Sequence, residues 1–467
     1  ALEPYLTFPR IYRLKINSFH TMKRPFLKKS SFFILNSSLF FLFLFGSTFQ
    51  ASAQHLYNID LYDFVDELAN SGVIDLNSAV KPYSREQMAT WMQTAHQHQD
   101  QLNNRQQLDL NRYYREFVRE LPSGQPRISK LEWIGYYYKD TLFTLKFSPI
   151  AGLSAWANDS GVFYRQWGGV EAWATAGHLS FAASVRDNHE SIQLSNPDYL
   201  NQSPTSVYKV NKYGGGDYDE TRGHITYNWK WGSLGIAMDQ MAWGDNYNGA
   251  NILSGRAPVV PAIKLHMKPA PWFEFNYFHA WLKSNVIDSV NLYSNGTSSR
   301  LVMRPKYMAA NLFTFTPIKN LKLSIGNSIV YSDEKVNPAY LIPFLYYKSV
   351  DRALNGYSNL GNQLGENSQL FFNVSSRNIR NIHLYASLFV DEVALGDIWE
   401  KNKQSNFISF KSGVHVSNFI LPNLFATAEV TITRPLAYRH YINTADFATS
   451  SFNMGHYLGD NSRELFL

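Results

Sequence analysis

The sequence predicts an all-β transmembrane barrel of about 14–18 antiparallel strands, preceded by a small periplasmic helical region. Three observations predict it: a hydrophobic period of two that begins near Ile128 and persists, connections that alternate short and long, and a composition rich in aromatics but poor in charge. Of the 467 residues 15% are aromatic and 17% charged, and none is Cys. A disordered chain would carry more charge and fewer aromatics. A polytopic helical membrane protein would have a positive mean hydropathy rather than −0.28. Without Cys there is no disulfide scaffold, thiolate metal site or lipidated Cys anchor.

The first element is an export signal. Met22 precedes a basic segment (Lys23, Arg24, Lys28, Lys29), an uncharged stretch from Ser30 to Phe49 with an apolar core at Leu39–Phe45, and the small-residue site Ala51-Ser52-Ala53. Residues 1–53 are therefore read as upstream extension plus signal peptide, the apolar core being short for a membrane anchor. They also account for the formal charge of +6. Seven of the 43 basic and one of the 37 acidic residues lie there, so the remainder carries 36 of each and gives no support to nucleic-acid binding.

Residues 54–127 read as helical. Leu61, Phe64, Val65 and Leu68 recur on one helix face. Ser84 and Gln87 form a capping box that opens a second helix through Met88, Trp91 and Met92. A third face carries Leu110, Tyr114, Phe117, Val118 and Leu121, and Pro122 ends it.

Residues 128–467 read as barrel, with about fifteen candidate strands. Leu179, Phe181, Ala183 and Val185 share one face, and His178, Ser180, Ala182 and Ser184 the other. The same alternation sets Ile263, Leu265 and Met267 against Lys264, His266 and Lys268, and Leu321, Leu323 and Ile325 against Lys322, Ser324 and Gly326. It sets Ala426, Ala428, Val430 and Ile432 against Thr427, Glu429 and Thr431. Soluble sandwiches and propellers also alternate, but they have no reason to segregate loop length by side. Here short turns near Gly177, Trp231, Pro271, Asn320, Arg380 and Asn423 alternate with long connections at Asp187–Arg222, Trp243–Pro258, Lys283–Ser299, Ser332–Asn367, Val393–Gln404 and Arg434–Asn461. Two features conflict with a simple barrel. If Ile128–Tyr138 is one spanning strand, it starts on the long-loop side, away from a periplasmic helical region; either it does not span or a further strand is present. The last residues, Arg463–Leu467, begin a strand and stop, so a closing strand or strands are expected to be missing.

Several segments, in shared order, resemble the Wzi family of outer-membrane capsule assembly proteins. They are Trp243–Pro258 (WGDNYNGANILSGRAP), Leu388–Glu392, Glu429–Pro435, Gly455–Asn461 and the helical entry Glu67–Ile74. The resemblance runs from about Tyr57 to the C-terminus and implies a barrel of about 18 strands with a periplasmic helical bundle. It also implies a bacterial outer-membrane, lectin-like protein that helps to attach capsular polysaccharide to the cell surface.

Candidate carbohydrate contacts follow from chemistry: aromatic faces for sugar rings, amides and carboxylates for hydroxyls. Trp243, Asp245, Asn246, Tyr247 and Asn248 cluster in one Gly-rich loop, where their polar groups could instead cap the loop's own turns. Tyr346, Tyr347 and Arg352 lie in the longest loop, whose apolar Leu341, Ile342, Phe344 and Leu345 predict that it folds inward or packs on other loops. Glu429 and Arg434, with Arg165, Glu171, Glu274 and Arg304, are read as lumenal, serving either an anionic glycan or wall-stiffening ion pairs. Trp229, Trp231, Phe273, Phe275, Tyr277 and Trp281 are read as an interfacial girdle. No catalytic motif is present: there is no G-x-S-x-G, P-loop or H-E-x-x-H. His96 and His98 are two apart on a helix and make poor metal ligands. The expected partners are surface or capsular polysaccharide and outer-membrane lipid, with no cofactor and no metal. The expected role is non-enzymatic polysaccharide binding; the alternative is a diffusion channel for oligosaccharides.

Overall fold

The period of two becomes sixteen barrel strands, each antiparallel to the next in chain order. The computed structural model describes residues 59–117, 128–132, 135–159, 161–191, 209–210, 215–291, 293–294, 296–355, 366–392, 406–419 and 421–467. The leader, its cleavage site, and Val118–Pro122 lie outside the described residues. The strands are β1 (Ile128–Glu132), β2 (Gly135–Lys139), β3 (Phe143–Asn158), β4 (Gly161–Ala176), β5 (Leu179–Glu190), β6 (Gly216–Trp229), β7 (Gly232–Asp239) and β8 (Val260–Ala270). They continue as β9 (Phe273–Ile287), β10 (Met303–Ile318), β11 (Leu321–Tyr331), β12 (Asn367–Ser376), β13 (Ile382–Glu392), β14 (Phe407–Ser417), β15 (Phe425–Thr433) and β16 (Ser462–Phe466).

The two faces differ as the alternation requires. Ile225, Leu234, Ile236, Leu323, Ile325, Phe372, Val374, Leu384, Phe410, Val430 and Ile432 point outward and are exposed. A continuous apolar belt of this size has no place in water and matches the hydrocarbon-facing band of a transmembrane barrel. Facing inward and buried are Ser180, Ser184, Arg222, Lys322, Asn373, His383, Lys411, Glu429 and Thr431. No described helix is long and apolar enough to cross a membrane.

From β4 onward the connections segregate by end. One end has tight turns whose left-handed residues are Gly177, Asn320 and Asn381, with φ of 57°, 62° and 66°; Gly and Asn tolerate that conformation where other residues strain. The other end carries the long loops. Two short connections also lie there: the turn between Asn158 and Gly161, and the step between Glu132 and Gly135.

That last step resolves the conflict over Ile128–Tyr138. The segment is a hairpin of two short strands, pairing Ile128 with Lys139 and Glu132 with Gly135. The additional strand restores the parity, so β1 begins at the short-turn end.

The helical region sits at that same end. Its helices are α1 (Ile59–Asn70), α2 (Arg85–Gln97) and α3 (Asn104–Phe117). Leu61, Phe64, Val65, Leu68, Met88, Met92, Leu110 and Phe117 form its core, and Ser84 with Gln87 makes the expected capping box. One face of α1 grips the barrel rim. Arg377, in the β12–β13 turn, donates to Asp66 at 2.8 Å, to Asn70 at 2.8 Å and to Ser78 at 2.9 Å. Asn418 donates to Glu67, and Lys322 pairs with Asp75 at 2.8 Å.

Candidate functional site

The β7–β8 connection turns into the lumen. Ala242–Trp243 pairs antiparallel with Val80–Lys81 on one side and Leu253–Ser254 on the other, making a three-stranded sheet inside the barrel. Gly244 N–H donates to Ala79 at 2.8 Å, so the inward loop and the helical region are joined through backbone bonds.

The five loop candidates are all brought together here, mostly as anchors of this loop. Trp243 is buried edge-on against Phe278, with ring centroids 5.0 Å apart. Asp245 accepts from Ser78 and, at 2.6 Å, from the Asn373 amide. Asn246 bonds within its own loop, to Gly244 at 2.8 Å and from Gly249 at 3.0 Å. Tyr247 stacks on His415 at 4.0 Å, and burial holds its phenol well above the usual value, so it stays neutral. Asn248 donates to Glu464 at 3.1 Å.

Glu429 is the hub. Its carboxylate accepts from the backbone N–H groups of Tyr247 at 2.7 Å and Asn248 at 3.1 Å, and from the Tyr385 hydroxyl at 2.5 Å. Lys411 faces it at 2.8 Å, and both side chains are fully buried. Gly413 makes this possible: a Cβ there would collide with the Tyr385 ring. Asn251 finishes the anchorage on β13 and β14 by donating to Ser409 O at 2.8 Å while accepting from Ser387 at 2.6 Å.

A second connection covers the plug from the long-loop side. Within residues 434–461, Tyr438 donates to Asn251 O at 2.7 Å, Ser254 N–H donates to Met454 O at 2.8 Å, and Phe447 joins Phe371 and Phe389 in one apolar cluster. In sequence this stretch reads as a long connection that ends in the resembling segment Gly455–Asn461, and nothing in it shows that it covers the plug. Arg434 is exposed at its start, outside the Glu429 network. Of the other charges read as lumenal, Glu274 lies 3.4 Å from His266, whereas Arg304 is exposed.

The longest loop departs from expectation. Instead of folding inward, residues 332–355 fold back over the outer face of β9, β10 and β11. Tyr340 and Tyr347 pack with Tyr277, Tyr307 and Tyr331. Asn311, fully buried on that outer face, donates to the carbonyls of Pro343 at 2.9 Å and Leu345 at 3.0 Å. Phe344 stacks on Phe275 at 4.6 Å. The physical reason is polar content: Asn311, Asn327 and His279 lie on the face that meets lipid, where unpaired polar groups are costly, and the loop covers them. Tyr347, on helix α4 (Tyr347–Asn355), is buried within this flap, while Tyr346 and Arg352 are exposed on it. The girdle reading changes accordingly. Trp231 is exposed and Trp229 lies on the outward face beside Tyr227, its ring over Gly232, but Phe275 and Tyr277 are covered by the flap.

No family model and no curated protein matches the chain. Among solved structures the chain is similar to Wzi of Escherichia coli, described as an outer-membrane protein involved in group 1 capsule assembly and a carbohydrate-binding β-barrel. The match has a TM-score of 0.51 and covers 89% of this chain and 80% of that one, at 12% identity. The fold is Wzi-like. Two Pseudomonas aeruginosa proteins, OccK8 (OprE) and OpdO, give TM-scores of 0.32 and 0.33 over 64% of this chain and 75% and 73% of theirs, at 10% identity. The Wzi-like fold agrees with the resemblance read from the sequence segments and with a barrel preceded by helices. Among the described residues the barrel has sixteen strands, with the two-residue Lys209–Val210 paired beside Gly216–Trp229, against the about 18 that the resemblance implied.

Proposed function

We propose that this protein is a bacterial outer-membrane barrel that binds or anchors surface polysaccharide, in a non-enzymatic, lectin-like role in capsule assembly, with its helical region on the periplasmic side. The observation that carries the reading is the lumen: the loop at residues 242–254 crosses it and is fixed to the wall through Glu429, Asn251 and Asp245. A barrel used for diffusion has no need of such a plug, and one used as a surface-anchored binding platform gains rigidity from it. The Wzi-like fold supports the same reading.

In this proposal the exposed Arg352 and Arg434, joined by Arg439 and Tyr441, meet the glycan, while Trp243, Asp245, Asn246, Tyr247, Asn248 and Glu429 hold the platform that presents them; Tyr346 and Tyr347, on the flap at the depth of Asn327, stand outside this surface. The apolar belt meets outer-membrane lipid. The test is a sedimentation assay on a strain lacking the gene: cell-associated polysaccharide is expected to fall, and an unchanged amount counts against the reading. Planar-bilayer recording separates the channel alternative, since a plugged barrel shows no stable open pore. Because the chain has no Cys, single introduced cysteines report orientation. Tyr441→Cys is expected to react with an impermeant maleimide on whole cells, and Leu421→Cys only after lysis.

A further inference from the structure

At the short-turn end, a cavity of 390 Å³ opens between the helical region and the inner wall of β6–β9. Its size falls in the range of small-molecule sites, about 300–1,000 Å³. Trp91 and Tyr83 line one side, His224 and Lys264 the other, and Trp243 closes it off toward the plug. Exposed Trp231 and Thr90 stand at its mouth.

Its polar lining is unevenly satisfied. The carboxylates are engaged: Asp75 with Lys322 and Lys268, Glu274 with His266. By contrast the Tyr83 hydroxyl and His224 Nε2 have no hydrogen-bond partner among the described residues. Tyr83 is 3% exposed and His224 9%, so neither group reaches bulk water freely. Buried polar groups without partners are costly to the fold and normally find one. Neutral donors set between aromatic rings complement a molecule that has apolar C–H faces and hydroxyl edges.

We propose that this cavity is a saccharide subsite at the helix-bearing end, taking one or two rings of a largely uncharged glycan. It rests on the reading that the barrel handles saccharides, but adds a site separate from the long-loop surface. A glycan end held there lies on the opposite side of the plug from any polymer bound outside, so the protein would contact saccharide on both faces of the membrane without a path between them.

The test is isothermal titration calorimetry of the folded full chain with maltose, cellobiose, lactose and digalacturonate. At least one neutral disaccharide is expected to bind. Ala237→Phe, which fills the cavity from β7, and His224→Phe, which removes the ring nitrogens but keeps a ring, are each expected to weaken it about tenfold. Should Ala237→Phe not fold, His224→Phe alone decides. Absence of binding by every neutral disaccharide overturns the proposal, as does binding that both folded variants retain; water alone would then satisfy the lining. The two readings fail separately. Absence of disaccharide binding, where deletion of the gene still lowers cell-associated polysaccharide, removes the subsite and leaves the capsule reading, whereas unchanged retention in the deletion strain beside specific disaccharide binding removes the capsule reading and leaves the subsite.

Discussion

Replacing Glu429 by Ala should unlock the plug. In the native barrel its carboxylate faces Lys411 at 2.8 Å, and both are fully buried. Removing one member of a buried ion pair leaves the other charge uncompensated, a cost of about 3–5 kcal/mol. Among the described residues Lys411 would keep only the Thr431 hydroxyl, at 3.0 Å. The N–H groups of Tyr247 and Asn248 would also lose their acceptor, at about 1–3 kcal/mol each while they stay buried. Together these approach the stability of a whole domain, about 5–15 kcal/mol. The loop therefore gains more by leaving the wall, where water can reach both N–H groups and Lys411, than by staying. Glu429→Ala is expected to give discrete conductance steps in planar bilayers, where the native protein gives none, together with a lower urea midpoint. The double variant Glu429→Gln with Lys411→Met removes both charges and keeps one amide oxygen for the Tyr247 N–H, so it should return the closed state. A Glu429→Ala barrel that stays closed and unfolds at the native midpoint refutes this account of what holds the plug.

Three further outcomes follow from the geometry. Arg377→Ala strands the buried Asp66 carboxylate, again at about 3–5 kcal/mol, so limited proteolysis should cut within 59–117 well before the barrel; equal protection would show that the grip lies elsewhere. Glu366, next to β12, is raised from 4.5 to about 7 by burial, with Asp333 and Asp351 adding to the effect. The folded state thus holds its proton more tightly than the unfolded one, so the stabilisation is complete below pH 4.5 and is lost as pH rises to about 7. A urea midpoint that falls across this window in the native chain and is flat in Glu366→Gln is expected; the same slope in both excludes Glu366 as its source. Asn311→Leu deprives the Pro343 carbonyl of its donor and leaves the Leu345 carbonyl only Asn327 at 3.3 Å among the described residues, and should raise protease cleavage within 332–355 without changing conductance.

Much of the barrel was legible because alternation and burial report the same variable. Leu323 and Ile325 face out, Lys322 and Ser324 face in, and a soluble sheet would not need every strand to obey that rule. The hairpin at Ile128–Lys139 was missed because its reversal carries no Asn-Gly signal, only Gly135 at φ 126°. The loop at Trp243–Asn251 was visible as a chemical cluster, but not its direction. Its decisive partner, Glu429, is 182 residues from Tyr247, and composition cannot choose between a loop that reaches out and one that is drawn in. The cavity was invisible for a related reason: it is formed by joining Tyr83 and Trp91 of one region to His224 and Lys264 of another.

The flap differs, because its signal was present in the strands it covers. On β10 and β11 the outward register pairs Asn311 with Asn327 and Ala309 with Ile329, while inward Met308 pairs with Val330. Two amides facing hydrocarbon, with His279 one step along the neighbouring strand's outer face, contradict the rule that a lipid-facing wall satisfies its polar groups internally. The contradiction disappears only if something proteinaceous lies over them. Residues 332–355 leave β11 directly beside that patch, and carry carbonyls for the amides and Phe344 for the ring below. From Tyr331 to Ile325, the outward residue paired with Phe313 beside Phe275, is six residues, or about 20 Å of strand. Against an apolar band about 25 Å tall, that depth carries the flap well below the rim. The exposed Leu341, Ile342, Phe344 and Leu354 on its free side then continue the apolar belt. A break in alternation on a lipid-facing strand is therefore best read as a footprint, and the segment to look for is the loop that leaves the same strand.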